Sequence, residues 1–471
     1  MIGTVKIGSA NQQRGASSLG QIAFERLNEF NEPPQWFSLG DLDYYQNLRA
    51  LGAAAREGIL TALGDISFSP AVFEVALQHE VTTVSLLRGV EADTVSGQYN
   101  RVASGGVLRT EYSFSFAAPG ADLIDGPKPP PLAFDVTPNS TPPTNVHVLI
   151  GRNGVGKTTT LWNIANASLF PDRPEDFGRV KHLPTASGSA GTKFVNVVSV
   201  SFSAFDPFTP VSHHASATTY EYIGLGVRGS MPGERKSAQT LNEEFLASLA
   251  EIRAAGRHEE WHAYMDTLGS DPQFAQSPIH EAVRSFFECE TDECRESWGD
   301  EVFHGFKALS SGHAIVLLTM TRLIELVAEQ SLVLLDEPES HLHPPLLAGF
   351  VRVLSDLLTD RNAVAIVATH SPVVLQEVPA SCVYKLNLSG DTCWPRRPRI
   401  ETYGENVGVL THEIFGLEVM DSGFYAEIRR AVRQLDTYEE VLDRFGNKLG
   451  SEAKGLVRVL LAEKNDPDGH L

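Results

Sequence analysis

Cysteine is scarce in this sequence, four thiols in 471 residues. Cys289 and Cys294 lie close together while Cys382 and Cys393 stand far downstream, which matches neither a disulfide framework nor the paired spacing of a zinc ribbon. All four are expected as free thiols. Long apolar runs are missing as well. The hydrophobic stretches are too short or too interrupted to cross a bilayer, and Met1 to Gly8 carries no cationic stretch, apolar core or small-residue cleavage site. Neither a membrane span nor a secretory signal is expected, and the cytoplasm is the default compartment. Positive charge is in deficit: 38 basic against 59 acidic residues leave a net charge of −21 and a pI near 5.1. Such a field repels nucleic acid at long range, so contact with it is expected only through a local basic patch or a partner chain. Internal repeats and long heptad segments are absent too, which excludes a solenoid and a long coiled coil.

What is present is enough chain for two or three packed units. Thr4 to Ile7 alternates apolar and polar residues, and Asp41 to Ala62 reads as helical. From Val107 to Phe116 the alternation is clean, with Leu108, Tyr112, Phe114 and Phe116 on one face, so a half-buried strand is expected. Pro119 to Pro143 is rich in turns and prolines and reads as a surface loop. A short apolar run, Val146 to Ile150, then enters a glycine-rich turn and a helical pattern from Thr158 to Leu169. Phe194 to Phe202 reads as another buried strand, and Lys236 to Phe306 as a charged helical insertion. Beyond it lie a helix apolar nearly all round (Ala314 to Val327), a strand (Leu332 to Leu335), a helix (about Leu346 to Leu358) and a strand (Val364 to Ala368). Strands alternating with helices give an α/β core with a parallel sheet. From Thr402 onward the chain is chiefly helical.

Gly151-Arg152-Asn153-Gly154-Val155-Gly156-Lys157-Thr158 sits between a buried strand and a helix and fits the phosphate-binding loop pattern completely. Glycines allow backbone N–H groups to close around phosphates at the positive end of a helix. Lys157 then reaches the β and γ phosphates of ATP, the Thr158 hydroxyl ligates Mg2+, and Thr159 continues the loop. Leu332 to Leu335 ends in Asp336-Glu337-Pro338, two carboxylates at the end of a buried strand. Ligands bind at that end of a parallel sheet, which suits Asp336 to Mg2+ and Glu337 to the attacking water. His258-Glu259-Glu260-Trp261-His262 satisfies the His-Glu-x-x-His zinc pattern, but its charged surroundings and lack of a third ligand favour a solvated helix face. His213-His214, in a polar stretch, reads as surface.

Leu309-Ser310-Ser311-Gly312-His313 resembles the signature of ABC ATPases, Leu-Ser-Gly-Gly-Gln, and Thr369-His370-Ser371-Pro372 resembles their switch histidine. Asp336-Glu337-Pro338-Glu339-Ser340-His341-Leu342-His343-Pro344 is similar to the ABC-type ATPases grouped with OLD, RecF and SMC proteins (AAA_21-like), and unlike the Asp-Glu-Pro-Thr-Ser of transporters. Tyr403-Gly404-Glu405-Asn406-Val407-Gly408 and Phe415-Gly416-Leu417 resemble ATPase subunits of bacterial anti-phage systems such as Septu and retron-associated ATPases. The resemblance runs from Val146 to Ser371, with Thr4 to Gly8 as the first strand. It implies a P-loop ABC ATPase head with a parallel core sheet, an N-terminal antiparallel β lobe and a helical lobe. The corresponding divisions are 1–145, holding the β lobe and a helical insertion, 146–235 for the P-loop core, 236–312 for the helical lobe, 313–400 for the second half of the core, and 401–471 for a C-terminal helical region. It also implies a homodimer or larger even-numbered assembly in which Ser310, Ser311 and Gly312 of one chain close on ATP held by the other, with His370 on the γ phosphate. Glu337 and His370 are then catalytic.

Two departures stand out: His313 replaces the signature glutamine, and no glutamine occurs between Asn163 and Ala238, where such ATPases place a Mg2+-sensing one. Ser201, Ser203 or Asp206 is the expected substitute. With no room for a Toprim domain and no coiled coil, the resemblance favours an ATPase that gates a separate nuclease in anti-phage defence. A stand-alone RecF- or SMC-like DNA-repair ATPase and a non-hydrolysing ATP-dependent scaffold are the alternatives.

Overall fold

The computed structural model describes residues 2–10, 12, 36–90, 92–120, 128–184, 193–202, 218–227, 234–269, 271–390, 392–421 and 423–465. In chain order its strands are β1 (Val5–Ser9), β2 (Trp36–Gly40), β3 (Tyr112–Ala117), β4 (Leu132–Val136), β5 (Val146–Ile150), β6 (Arg179–Leu183), β7 (Asn196–Ser201), β8 (Thr219–Gly224), β9 (Leu332–Asp336), β10 (Val364–Thr369), β11 (Val383–Ser389) and β12 (Thr392–Arg396).

Seven strands form the central sheet in the order β12-β11-β5-β10-β9-β7-β8. Every pairing is parallel except β11 with β12, which is antiparallel. Its middle strands are mostly apolar because both faces are covered, and all of β5 and β10 is buried, His147 of β5 included. Register decides what the sheet does. Ile150 pairs with Thr369 and Ala368 with Asp336, while Asp336 pairs with Ser201. The C-terminal ends of β5, β10, β9 and β7 therefore emerge side by side, and the loops that follow them share one edge.

A second sheet, antiparallel in the order β4-β3-β6, covers one face of the first. Phe114 stacks on Phe134 at 4.8 Å between ring centres, in a core shared with Leu149 and Leu161. Two expectations are corrected here. β4 lies inside the proline-rich stretch read as a surface loop: Leu132 to Val136 is free of proline, and an edge strand tolerates prolines at its ends. And Thr4 to Gly8, expected as the first strand of the ATPase head, joins neither of these sheets, since β1 pairs with β2 in a separate two-stranded sheet. The lobe starts at β3.

Around β1 and β2, helices Leu42–Arg49 and Ala53–Ala62 bury Tyr45, whose hydroxyl donates to the enclosed Asp65 carboxylate at 2.9 Å. The helical insertion comprises Ala238–Ala254, His258–Leu268, Pro272–Ala275, Ile279–Glu288 and Asp292–Ala308. It docks on the long apolar helix Ser311–Leu326, where the indole N–H of buried Trp261 donates to the Thr321 hydroxyl at 2.9 Å. Cys289 and Cys294 are disulfide-bonded, against the expectation of four free thiols; Cys382 and Cys393 are free. The turn between Glu288 and Asp292 brings the two Cα atoms to 5.7 Å, within bonding range, a proximity that spacing alone does not reveal. The C-terminal helices Gly423–Gln434, Tyr438–Arg444 and Ser451–Asn465 enclose a small core of their own around Ile428, Val432, Val441 and Val457. Among the described residues no helix is long and apolar enough to cross a membrane.

Candidate functional site

β5 ends at Ile150 and the helix Lys157–Leu169 begins seven residues later. The loop between them demands glycine at specific points. Gly154 and Gly156 hold φ of +78° and +95°, a region costly for any residue with a β carbon, and a β carbon on Gly151 would meet the Leu386 carbonyl oxygen at 2.7 Å. No side chain caps the helix start, so its first N–H groups remain available to an acceptor. Lys157, only 4% exposed, folds back over the loop and donates from Nζ to the carbonyls of Gly151 and Arg152, both at 3.2 Å. Val155 is buried beneath the loop, Thr158 is half-buried, and Arg152, Asn153 and Thr159 are exposed.

Asp336 closes β9, and Glu337 turns the chain out of the sheet with φ of +46°. A left-handed conformation at a non-glycine residue costs about 1–2 kcal/mol; here the Glu337 N–H holds it by donating to the Ala368 carbonyl at 2.8 Å. The Glu337 carboxylate then lies 3.9 Å from Lys157 Nζ and 3.7 Å from His370 Nδ1. The structure thus brings together Lys157, both strand-end carboxylates and His370.

A third carboxylate, unassigned by the sequence analysis, organises this corner. Glu339 sits in the one-turn 3-10 helix Pro338–His341. Its Oε1 accepts from the Thr369 hydroxyl at 2.6 Å and the His370 backbone N–H at 2.7 Å, and lies 3.1 Å from His370 Nδ1. Its other oxygen is buried with no hydrogen-bond partner. One side chain therefore ties the loop after β9 to the loop after β10. The available signal was a third acid two residues beyond Glu337 at a strand end.

Ser310 caps the helix Ser311–Leu326, its hydroxyl accepting the His313 N–H at 3.3 Å. Gly312 lies against the Pro338–His341 turn, where a β carbon would meet the His341 carbonyl oxygen at 2.6 Å. Among the described residues no hydrogen bond joins Ser310, Ser311 or Gly312 to the loop 151–158. Ser201, a candidate for the missing glutamine, is the strand neighbour of Asp336, and its hydroxyl is buried without a partner; Ser203 and Asp206 lie outside the described residues. His258 and His262 are packed on the Phe287 ring, with centres 6.1 and 5.6 Å away, and Glu259 points to solvent; among the described residues they form no metal-binding group. His213 and His214 lie outside the described residues.

Over 485 aligned residues the chain is 39% identical to protein ea59 of Escherichia phage lambda, covering 99% of this chain and 90% of that protein. The chain belongs to the ea59 family. Within this family member, residues 295–376 match the model of an AAA domain described as a putative AbiEii toxin of a type IV TA system. That span includes Ser310, Asp336, Glu337 and His370. Sheet order and family match together make the chain a P-loop ATPase by fold. A solved inward-facing putative metal-chelate type ABC transporter is also similar, at 15% identity and a TM-score of 0.31, over 65% of this chain and 89% of that one, a likeness too distant to bear on function.

Proposed function

We propose that the chain binds ATP and Mg2+ on the loop 151–158, hydrolyses ATP with Glu337 as general base, and works as a homodimer or larger even-numbered assembly. Opening and closing of that assembly gates a separate effector, a nuclease, in the conflict between phage and host. The observation that carries this reading is the meeting of Lys157, Asp336, Glu337 and His370 at one edge of a parallel sheet.

The uncapped helix start and the two left-handed glycines suit a phosphate chain, and the Lys157 ammonium can exchange its two carbonyl partners for the β and γ phosphates. Thr158 and Asp336 would hold Mg2+, which when bound neutralises phosphate charge. Glu337 accepts the proton of the attacking water, while His370, steadied by Glu339, contacts the γ phosphate. Among the described residues Ser310, Ser311 and Gly312 make no hydrogen bond to the loop of their own chain, which supports a second copy bringing its signature to it. The effector role draws support from the toxin description of the matching domain and from a relative borne by a phage. A net charge of −21 supports nucleic-acid contact through the partner or a local basic patch rather than through the overall field of this chain.

Two variants test the shared site. Lys157→Ala should abolish tight ATP binding, and Ser310→Arg should keep binding but block closure. Mixed dimers of the two contain one composite site with neither lesion, so turnover should partly return. Undiminished affinity in Lys157→Ala, or no turnover in confirmed mixed dimers, would contradict the scheme.

A further inference from the structure

Three side chains from separate elements converge beside the signature helix, outside the nucleotide corner. Asp271 comes from the turn that starts helix Pro272–Ala275, His313 from the first turn of Ser311–Leu326, and His343 is the N-cap of Pro344–Asp360. Their ligand atoms all lie within 4.8 Å of one another. The Asp271 and His313 side chains are 8% and 10% exposed, and that of His343 is 51% exposed.

The carboxylate is already aimed. Asp271 Oδ1 accepts the backbone N–H groups of Gln273 at 2.8 Å and Phe274 at 3.0 Å, which fixes the plane and leaves Oδ2 for the histidines. His343 Nε2 lies 2.7 Å from Oδ2, and His313 Nε2 lies 3.8 Å from the same oxygen. A single proton accounts for the His343 contact. It does not account for His313, whose ring is almost wholly enclosed, turns a nitrogen toward the same oxygen, and makes no hydrogen bond among the described residues.

We infer that Asp271, His313 and His343 form a binding site for a transition-metal dication of the Zn2+ class. Two imidazole nitrogens and one carboxylate oxygen suit Zn2+ and its first-row neighbours, whereas Mg2+ and Ca2+ prefer all-oxygen shells. Backbone N–H bonds to the non-ligating oxygen are the outer support that metal-bound carboxylates have elsewhere. Tetrahedral Zn2+ with bonds of about 2.0–2.1 Å sets its ligand atoms about 3.3 Å apart, so His313 must draw toward Asp271 while His343, half exposed and with room to turn, moves away from it. On binding, the single ring proton that Nε2 shares with Asp271 moves to Nδ1, so the ring stays neutral, Nε2 is free to ligate, and the long 3.4 Å capping bond from the Leu346 N–H is given up. The fourth position faces solvent on the His343 side.

Such an ion ties the helical lobe, through Asp271, to the signature helix, through His313, and to the helix entered six residues after Glu337, through His343. It acts as a staple between signature and catalytic strand. It also gives a chemical reason for histidine where the signature usually has glutamine. The proposal stands apart from the ATPase reading, because the ion is held without nucleotide.

The test uses the full untagged chain, stripped with a chelator and titrated with Zn2+ against a chromophoric competitor without nucleotide. One Zn2+ per chain is expected. His343→Ala and His313→Gln should each weaken binding by about ten- to a hundredfold or more, while His258→Ala, in the other histidine motif, should leave it unchanged. Co2+ in place of Zn2+ should give visible absorption bands that His343→Ala alters. His343 is half exposed, so its replacement leaves folding intact even if His313→Gln does not. Absence of a stoichiometric site, or affinity and Co2+ spectrum indifferent to His343→Ala, would overturn the inference.

Discussion

Glu339 shows how one side chain can decide the geometry of others. Its Oε1 gathers the Thr369 hydroxyl, the His370 N–H and the His370 ring, so His370 is held at both its backbone and its ring by an acid that touches no phosphate in the scheme above. Removing a buried acceptor strands its donors at a cost of about 1–3 kcal/mol. Glu339→Ala should therefore lower the melting temperature and slow ATP turnover by at least tenfold while nucleotide affinity stays within a few-fold of wild type. Glu339→Gln, which keeps an acceptor at Oε1, should recover part of both. Equal loss of turnover and affinity in Glu339→Ala would mean that the loop 151–158 itself depends on Glu339. This role was not legible in the sequence, because it exists only once β9 and β10 lie side by side. Lys157, Asp336 and Glu337 were legible, since each sits at a fixed offset from an apolar strand or a glycine turn.

At the scale of elements, the parallel strands and the helices between them could be read from local pattern, while the pairing of distant or interrupted segments could not. β4 is flanked by prolines that mask a five-residue strand, and β1 finds its partner in β2 rather than in the β lobe. The Cys289–Cys294 bond depends likewise on a turn rather than on spacing. β5 carries a further consequence of enclosure. His147 lies wholly inside this strand, and burial, with the Arg397 charge nearby, pushes its pKa down to about 3. The folded chain keeps it neutral, whereas the unfolded chain protonates it near pH 6.5. Between those values the unfolded state binds more protons, so this contribution to stability is complete above pH 6.5 and is lost as pH falls toward 3, by at most about 1.4 kcal/mol per pH unit. His147→Leu should flatten the acid limb of stability measured by urea unfolding between pH 6.5 and 4.5. Parallel profiles for variant and wild type would show that His147 does not set that limb.

For the whole molecule, the proposed work is a change of assembly driven by hydrolysis at Glu337, and one substitution separates binding from chemistry. Glu337→Gln keeps the size and hydrogen bonding of the side chain but cannot take a proton from water, while Lys157, Thr158 and Asp336 are untouched. Turnover should fall by about two to four orders of magnitude, the range for losing a general base. The variant should persist as an ATP-loaded dimer where wild type returns to its resting mass. The decisive measurement is light scattering of both proteins with Mg2+ and ATP, followed over time alongside phosphate release. A stable doubled mass with almost no phosphate from Glu337→Gln is the expected result; near-normal phosphate release, or a variant that no longer binds ATP and stays at its resting mass, would contradict it.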